Sequence, residues 1–215
     1  MGHGSPYSDS PADPPAVPDG VLAAIETHLR QREIRREELY QQARRLRRLA
    51  QGTMTRLHAG VPSSGDLAAI RASLAELSER LRREGRADEP IAHDALQEAV
   101  EAALLGAIVE RQPLPGPSDL GVEPEPYLLG LGDVVGEVRR LSLERLGADD
   151  LDGAERNLRL MEELTQALLR FDTTRAIVQL KPKQDSARSL VERTRGDVVM
   201  ARFLARARPV VPKEG

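Results

Sequence analysis

The amino-acid sequence predicts an all-α protein, an antiparallel bundle of about six to seven helices. Leu, Ala, Arg and Glu dominate its 215 residues and runs of β-branched residues are scarce, a composition that favours helices over strands. Apolar residues recur at spacings of three and four in several segments, which is the period of a helix with one buried face. Stretches rich in Pro and Gly separate these segments and mark the connections.

The composition also limits the classes of function. Aromatic residues make up 2% of the chain and Trp is absent, so the core must be aliphatic. The absence of Cys excludes disulfides and thiolate zinc sites. No apolar run approaches the ~20 residues of a membrane span and nothing resembles a signal peptide, so we expect a soluble, cytoplasmic protein without a membrane partner. The net charge of −3 means that nucleic-acid binding would depend on local arginine clusters.

The order of segments predicts one folded domain over residues 20–206. Residues 1–19 contain five prolines and predict a disordered tail, and residues 207–215 predict a flexible one. The first helical pattern begins at Asp19, a plausible N-cap, and extends to about His58 as one long helix or two kinked ones. The remaining helices are predicted around 67–81, from 90 to about 109, from 125 to about 146, around 158–168, and from 182 to about 206, with a loop at 112–124 and an undecided segment at 173–181.

The last helix is predicted to bury one apolar face. That inward face comprises Ala187, Leu190, Val191, Thr194, Val198 and Phe203. The outward face comprises Lys183, Arg188, Arg193, Arg195 and Arg202.

Two of the predicted helices carry pairs of acids in apolar surroundings. Asp133 and Glu137 are four residues apart, Glu98 and Glu101 are three apart, and each pair therefore shares one helix face. No lysine adjoins these acids, so we expect the repulsion within each pair to be uncompensated until a cation binds. Four carboxylates on adjacent helices would suit Mg²⁺ or Mn²⁺. The alternative is that the acids are polar edges of bundle helices.

Arginines are concentrated in the first helix and the last. Residues 30–48 hold eight arginines against three glutamates. Such a run is either a solvated helical face with i,i+4 pairs or a ridge that binds phosphates. Because the chain has few aromatic side chains for base stacking, contacts to RNA would be made to its backbone. The candidate nucleic-acid-binding residues are Arg36, Arg44, Arg45, Arg47, Arg48, Arg188, Arg193 and Arg195.

Other catalytic chemistry has little support in the sequence. The four histidines show no zinc-binding spacing, and no Cys nucleophile is available. Neither Gly-x-Gly-x-x-Gly nor a P-loop occurs.

Residues 127–140, which read Tyr-Leu-Leu-Gly-Leu-Gly-Asp-Val-Val-Gly-Glu-Val-Arg-Arg, resemble the translin superfamily. They reproduce the family's pattern of Tyr, Gly, Asp, Gly-Glu and Arg at the same spacings. Residues 183–196 are similar to the family's closing helix, and the resemblance extends over residues 20–206. It implies an all-α fold of about seven helices and a closed, hollow homo-oligomer, octameric in the family.

The resemblance also implies roles for the acids. Trax-like members are nucleases whose acidic residues hold a divalent metal, whereas translin itself chiefly binds nucleic acid. Glu98 and Glu101 match the Trax-like Glu-x-x-Glu, and Asp133 and Glu137 match the acids of the family's central helix, so all four are implied as metal ligands and catalytic residues. The few aromatic residues near Glu-x-x-Glu and the absence of Trp depart from the eukaryotic pattern and suggest a prokaryotic, self-assembling member.

Two functions follow as hypotheses. The first is a metal-dependent endoribonuclease that binds and cleaves single-stranded or short duplex RNA with Mg²⁺ or Mn²⁺ held by carboxylates. The second is a non-catalytic, oligomeric RNA- or single-stranded-DNA-binding protein of translin type, in which the acids are structural. The acids discriminate between the two, because inward negative charge repels phosphate and is of no use to a protein that only binds nucleic acid.

Overall fold

The computed structural model describes residues 17–84, 90–171 and 178–207. Within these ranges the chain forms helices and no strand, which confirms the all-α prediction. The helices are α1 (Asp19–His58), α2 (Ser64–Glu84), α3 (Pro90–Val109), α4 (Pro117–Leu120), α5 (Pro124–Gly147), α6 (Leu151–Leu169) and α7 (Lys181–Ala207). The predicted tails fall almost wholly outside the described residues, as does most of the undecided segment 173–181.

The contacts divide the chain into two compact units, Met1–Glu38 and Leu39–Gly215, and the boundary falls within α1. In the first unit, the apolar side chains of the first turns of α1 are 47–55% exposed. They are Val21, Leu22, Ile25 and Leu29. The single domain over residues 20–206 stays a prediction.

The core of the second unit is aliphatic, as the composition predicts. The central helix is α5, which packs against α3, α6 and α7, while α2 packs against α3. The later turns of α1 join this core through the buried side chains of Leu39, Ala43 and Leu46. Burial of each leucine side chain contributes roughly 1.5–3 kcal/mol, so the 3-4 spacing of apolar residues is what assembles the bundle.

Local chemistry explains where α4 and α6 begin. The side chain of Asp150 accepts a hydrogen bond of 2.8 Å from the backbone N–H of Gly153, which caps α6. In the segment predicted as a loop, Pro117 opens the four-residue α4, and Asp119 accepts from the Gly116 N–H at 2.7 Å. A single turn is too short to show periodicity, so the sequence pattern did not reveal it.

Two glycines set the spacing between α5 and its neighbours. A Cβ atom at Gly130 would lie 2.8 Å from the backbone oxygen of Gln97, and one at Gly132 would lie 2.8 Å from Cβ of Lys183. Both distances are shorter than side chains tolerate, so α5 approaches α3 and α7 more closely than any larger residue would allow. The acid-bearing faces of α3 and α5 are thereby brought together.

Two expectations for α7 are wrong. Phe203 is 67% exposed, because the last buried residue of α7 is Val198 and the apolar side chains beyond it remain exposed in the described part of the chain. Lys183, expected on the outer face, is directed toward α5 instead. None of the helices in residues 17–84, 90–171 and 178–207 is long and apolar enough to cross a membrane.

Candidate functional site

The four acids converge between α1, α3 and α5. Glu98, Glu101 and Asp133 line one cavity of about 470 Å³, and Glu137 contacts His58, which lines the same cavity. The prediction that the two acid-bearing helices are neighbours is confirmed. The other residues that line this cavity are Gln51, Met54, Thr55, Gln97 and Arg140.

Asp133 is held at both of its oxygens. The ammonium of Lys183, from α7, donates to Oδ1, and the side-chain amide of Gln97, from α3, donates to Oδ2 at 2.5 Å. The side chain of Asp133 is 25% exposed and that of Lys183 is 29% exposed. A largely buried carboxylate with a donor on each oxygen is firmly oriented, because rotating it would break one of the two charge-assisted hydrogen bonds.

Glu98 and Glu137 are each paired with a cationic or titratable residue of α1. Nη2 of Arg47 lies 2.7 Å from Oε1 of Glu98, and the side-chain amide of Gln51 donates a hydrogen bond of 2.9 Å to Oε2. Glu137 contacts Nε2 of His58, whose side chain is only 4% exposed. The other ring nitrogen of His58 lies 3.5 Å from Oε1 of Glu144.

Glu101 differs from the other three acids. It has no ion-pair partner among the residues that the structure describes, and burial raises its pKa from 4.5 to about 8. The negative charges of Asp133, Glu137 and Glu98 add to this rise, while the charge of Lys183 opposes it. The metal-free carboxyl therefore holds its proton at neutral pH, because ionising it would add another negative charge to a partly desolvated cluster.

The expectation that repulsion within each acid pair is uncompensated is wrong for Asp133 and Glu98, which have cationic partners, and Glu137 contacts a histidine. Their partners Lys183, Arg47 and His58 come from α7 and α1, far from the acids in sequence, so residues adjacent in sequence gave no sign of them. In the described ranges no group of three or more histidines and acids is arranged as ready-made metal ligands. The donor set still suits a hard cation, because carboxyl oxygens from α3 and α5 face one cavity and that of Glu101 has no ion-pair contact in the described chain.

The candidate nucleic-acid-binding arginines fall into separate groups. Arg44, Arg45 and Arg48 are exposed, and none has a carboxylate partner within residues 17–84, 90–171 and 178–207. Arg47 forms an ion pair with Glu98. Arg36 is exposed in the first unit.

The arginines of α7 are engaged with their own surroundings. Arg195 pairs with Glu162 at 2.7 Å and with Glu192 at 2.6 Å. Arg193 donates to the backbone oxygen of Ser189 at 3.3 Å. Arg188 lies 3.8 Å from Asp185, so α7 offers less unpaired positive charge than α1 does.

Known proteins share this fold and much of this sequence. The Translin family model matches residues 92–195. The structure of the AfC3PO–duplex RNA complex is 32% identical, with a TM-score of 0.76, and the alignment covers 87% of this chain and 99% of that one. The chain belongs to the translin family. The family match includes all four acids and Lys183, but not His58 or the arginines of α1.

Further relatives agree with this assignment. The crystal structure of AfC3PO is 32% identical, with a TM-score of 0.72 over 87% of this chain and 99% of that chain. The structure of apo-NeC3PO, at 20% identity and a TM-score of 0.77 over 87% of this chain and 100% of that chain, supports the fold alone. An uncharacterized protein of Methanocaldococcus jannaschii is 40% identical over 104 residues, 48% of this chain. The translin-family chain thus spans about half of that curated relative, 47% of its length.

Proposed function

We propose that this translin-family chain is a metal-dependent endoribonuclease that binds and cleaves single-stranded or short duplex RNA. Glu98, Glu101, Asp133 and Glu137 would hold Mg²⁺ or Mn²⁺. The observation that carries the proposal is the gathering of Glu98, Glu101 and Asp133 on one cavity, with Glu137 close enough for its charge to act on Glu101. Burial raises the pKa of Glu101 to about 8, and the negative charges of the other three acids add to the rise. A bound divalent cation would offset that negative charge, stabilise charge on the phosphate oxygens and favour ionisation of a water.

The protein's own side chains would prepare the cluster for this role. Gln97 fixes one oxygen of Asp133, and His58 fixes Glu137, so two of the four ligands are already oriented in the metal-free chain. Glu101 would lose its proton when a cation binds, because the positive charge lowers its pKa again. Metal binding should therefore release protons and strengthen as the pH rises.

RNA as the substrate is supported by a relative and by the arginines. The AfC3PO complex, 32% identical to this chain, contains duplex RNA. In this chain Arg44, Arg45 and Arg48 present unpaired guanidinium groups on α1, and Arg140 lines the acid cavity from α5. Guanidinium groups bind backbone phosphates bidentately, so they would hold a strand beside the acids without reading its sequence.

The test is cleavage of an end-labelled RNA oligonucleotide by the purified full-length chain. We expect cleavage with Mg²⁺ or Mn²⁺ and none with a chelator, and restored cleavage when the metal is returned. The Glu101→Gln variant serves as the comparison and should lose cleavage. It removes one candidate metal ligand without breaking an ion pair, because Glu101 has no ion-pair partner in the described chain. Wild-type protein that binds RNA but leaves it intact with either metal would contradict the proposal.

The alternative is a non-catalytic protein that binds RNA or single-stranded DNA. It is favoured by one observation, namely that Lys183 and Arg47 already balance Asp133 and Glu98, and that His58 already contacts Glu137, without a metal. In that case the acids would be structural, and the four single acid-to-amide variants would change stability but leave nucleic-acid affinity unaltered. The cleavage test separates the two functions.

Self-assembly forms a further part of the proposal. In α7 the apolar side chains of Val199, Met200, Phe203 and Leu204 are exposed, and a monomer gains nothing from leaving them in water. We propose a homo-oligomer, and the family resemblance implies an octamer. Light scattering that shows only the 23.6 kDa chain at micromolar concentration would contradict it.

A further inference from the structure

Lys183 places an ammonium group inside the acid cluster. Its Nζ donates to Oδ1 of Asp133, and both side chains are more than two-thirds buried. The charge of Lys183 also acts on Glu101, where it opposes the effect of the neighbouring acids. This ammonium therefore occupies the region in which a divalent cation would bind.

The backbone of α5 is shaped to admit this lysine. A Cβ atom at Gly132 would lie 2.8 Å from Cβ and 3.2 Å from Cγ of Lys183, so the stem of Lys183 rests against bare backbone. One turn later, a Cβ at Gly136 would meet Leu190 at an ordinary 3.8 Å. Close approach is thus required at position 132 and not at position 136.

The neighbouring lysine of α7 shows that this placement is specific. Lys181 is about half exposed and pairs with Asp185 at 2.7 Å, one turn along its own helix. Such an exposed i,i+4 pair contributes little. Lys183 instead reaches across to another helix and into the cavity wall, a contact that the packing of α5 against α7 fixes.

We propose that Lys183 is an internal counter-ion, which holds Asp133 in the metal-free protein and must release it when a divalent cation binds. This inference rests on the proposed metal site. Both oxygens of Asp133 are occupied, one by Lys183 and one by Gln97. A hard cation needs an oxygen at ~2.0 to 2.6 Å, and an ammonium on that carboxylate would repel it.

Lys183 is thus a positioning residue with two opposite effects. Without metal it keeps Asp133 oriented and reduces repulsion within the cluster. With metal it competes for the same carboxylate, so it lowers the affinity of the site. Its flexible four-carbon stem lets the ammonium withdraw without movement of either helix.

The experiment is a titration of the full-length chain with Mn²⁺, followed by calorimetry and by thermal unfolding. Compared with wild type, Lys183→Met should bind Mn²⁺ about tenfold more tightly, because the competing charge is gone. The metal-free variant should melt at a lower temperature, and the rise in melting temperature on adding Mn²⁺ should be larger.

A matched control separates competition from a general change of charge. Lys181→Met removes the same charge from the same helix but touches no acid of the cluster. It should bind Mn²⁺ within about twofold of wild type, because long-range charge is screened by solvent and salt.

A second measurement observes the lysine itself. The chain has only three lysines, so reductive ¹³C-methylation, which keeps their charge, gives a simple NMR spectrum. Signals are assigned with the Lys181→Met and Lys183→Met variants. Titration with Mg²⁺ should shift the Lys183 signal and leave that of Lys181 in place.

Each outcome decides the matter. If wild type and Lys183→Met bind Mn²⁺ equally, or the Lys183 signal stays fixed while Mg²⁺ binds, the inference is overturned and the proposed metal site stands. If neither protein binds Mn²⁺, both are overturned. Should Lys183→Met fail to fold, Gly132→Ala, which pushes the lysine from α5, should tighten Mn²⁺ binding relative to Gly136→Ala, and equal affinities in these two would overturn the inference.

Discussion

Each acid of α5 contacts a side chain from another helix. Asp133 pairs with Lys183 from α7, and Glu137 contacts His58 from α1. Both acids are therefore fixed between helices.

The acid pair of α3 is balanced on one side only. Glu98 pairs with Arg47, but Glu101 has no such partner in the described chain, and its pKa is raised to about 8. Glu101 therefore bears the unfavourable effect of burial and of the neighbouring negative charges. The comparison shows that the charge state of each acid depends on the side chains that other helices bring near it, and not on the spacing of the acids within their own helix.

The largest expected effect is on catalysis. If the acids hold the cation that supports water attack, Glu98→Gln, Glu101→Gln and Asp133→Asn should each reduce RNA cleavage by ~100-fold or more, a loss of several kcal/mol in transition-state stabilisation. Single-turnover cleavage with saturating metal measures it, and RNA binding by the same variants serves as the control. Full activity in Asp133→Asn would show that the α5 pair is structural alone.

The pH dependence of stability should isolate Glu101. Its pKa is raised from 4.5 in the unfolded chain to about 8 in the folded chain, so the folded state binds the proton more tightly. The resulting stabilisation is fully present below about pH 4.5 and is lost as the pH rises through about 8, up to about 5 kcal/mol in all. Urea unfolding of the metal-free chain between about pH 5 and about pH 8.5 measures the loss.

The control for this pH dependence is Glu101→Gln, which cannot titrate. The difference in unfolding free energy between wild type and this variant should change across the same pH range. If the unfolding free energies of the two proteins change with pH in the same way, Glu101 is not the group whose pKa is raised in the folded state.

The two pairs should respond oppositely when one charge is removed. Above about pH 8, Glu101→Gln should raise the melting temperature of the metal-free chain, because it removes an unbalanced charge. Asp133→Asn should lower it, because Lys183 loses its partner while two-thirds buried, at a cost of about 1–2 kcal/mol. Thermal unfolding in the presence of chelator measures the melting temperatures of the two variants. If both melting temperatures shift in the same direction from wild type, the two acid pairs do not differ in this respect.

The smallest effect concerns the exposed arginines of α1. Replacing Arg44, Arg45 and Arg48 by Gln should weaken binding to unrelated RNA sequences to a similar extent. It should also reduce the slope of log affinity against log salt concentration by an amount that corresponds to roughly two to three phosphate contacts. Arg47→Gln should instead act on Glu98, which it leaves without its cation. Filter binding at several salt concentrations distinguishes the two, and an unchanged slope in the triple variant would locate the RNA surface elsewhere.

Much of the fold could be predicted from local patterns. Pro90 and Val109 bound α3 as expected, and Asp150 caps α6, because caps and apolar periodicity are properties of neighbouring residues. The periodicity predicted that Phe203 points inward, but its side chain is exposed. Periodicity identifies the apolar face of a helix but not how far the neighbouring helix extends along it. Of the site, the sequence pattern identified the four acids but neither His58 nor Lys183 as their partners.

The sequence by itself determined the long helices, the membership of the translin family and the placement of each acid pair on one helix face, because all three follow from residue types at fixed short spacings. Only the tertiary structure decided how the charges are matched. Gly132 lets α7 approach α5 so closely that Lys183 reaches Asp133, fifty residues away in sequence, while Glu101 is left without a cation in the described chain. A charge in a partly buried site takes its pKa from whatever lies within a few ångströms, and those neighbours are set by packing.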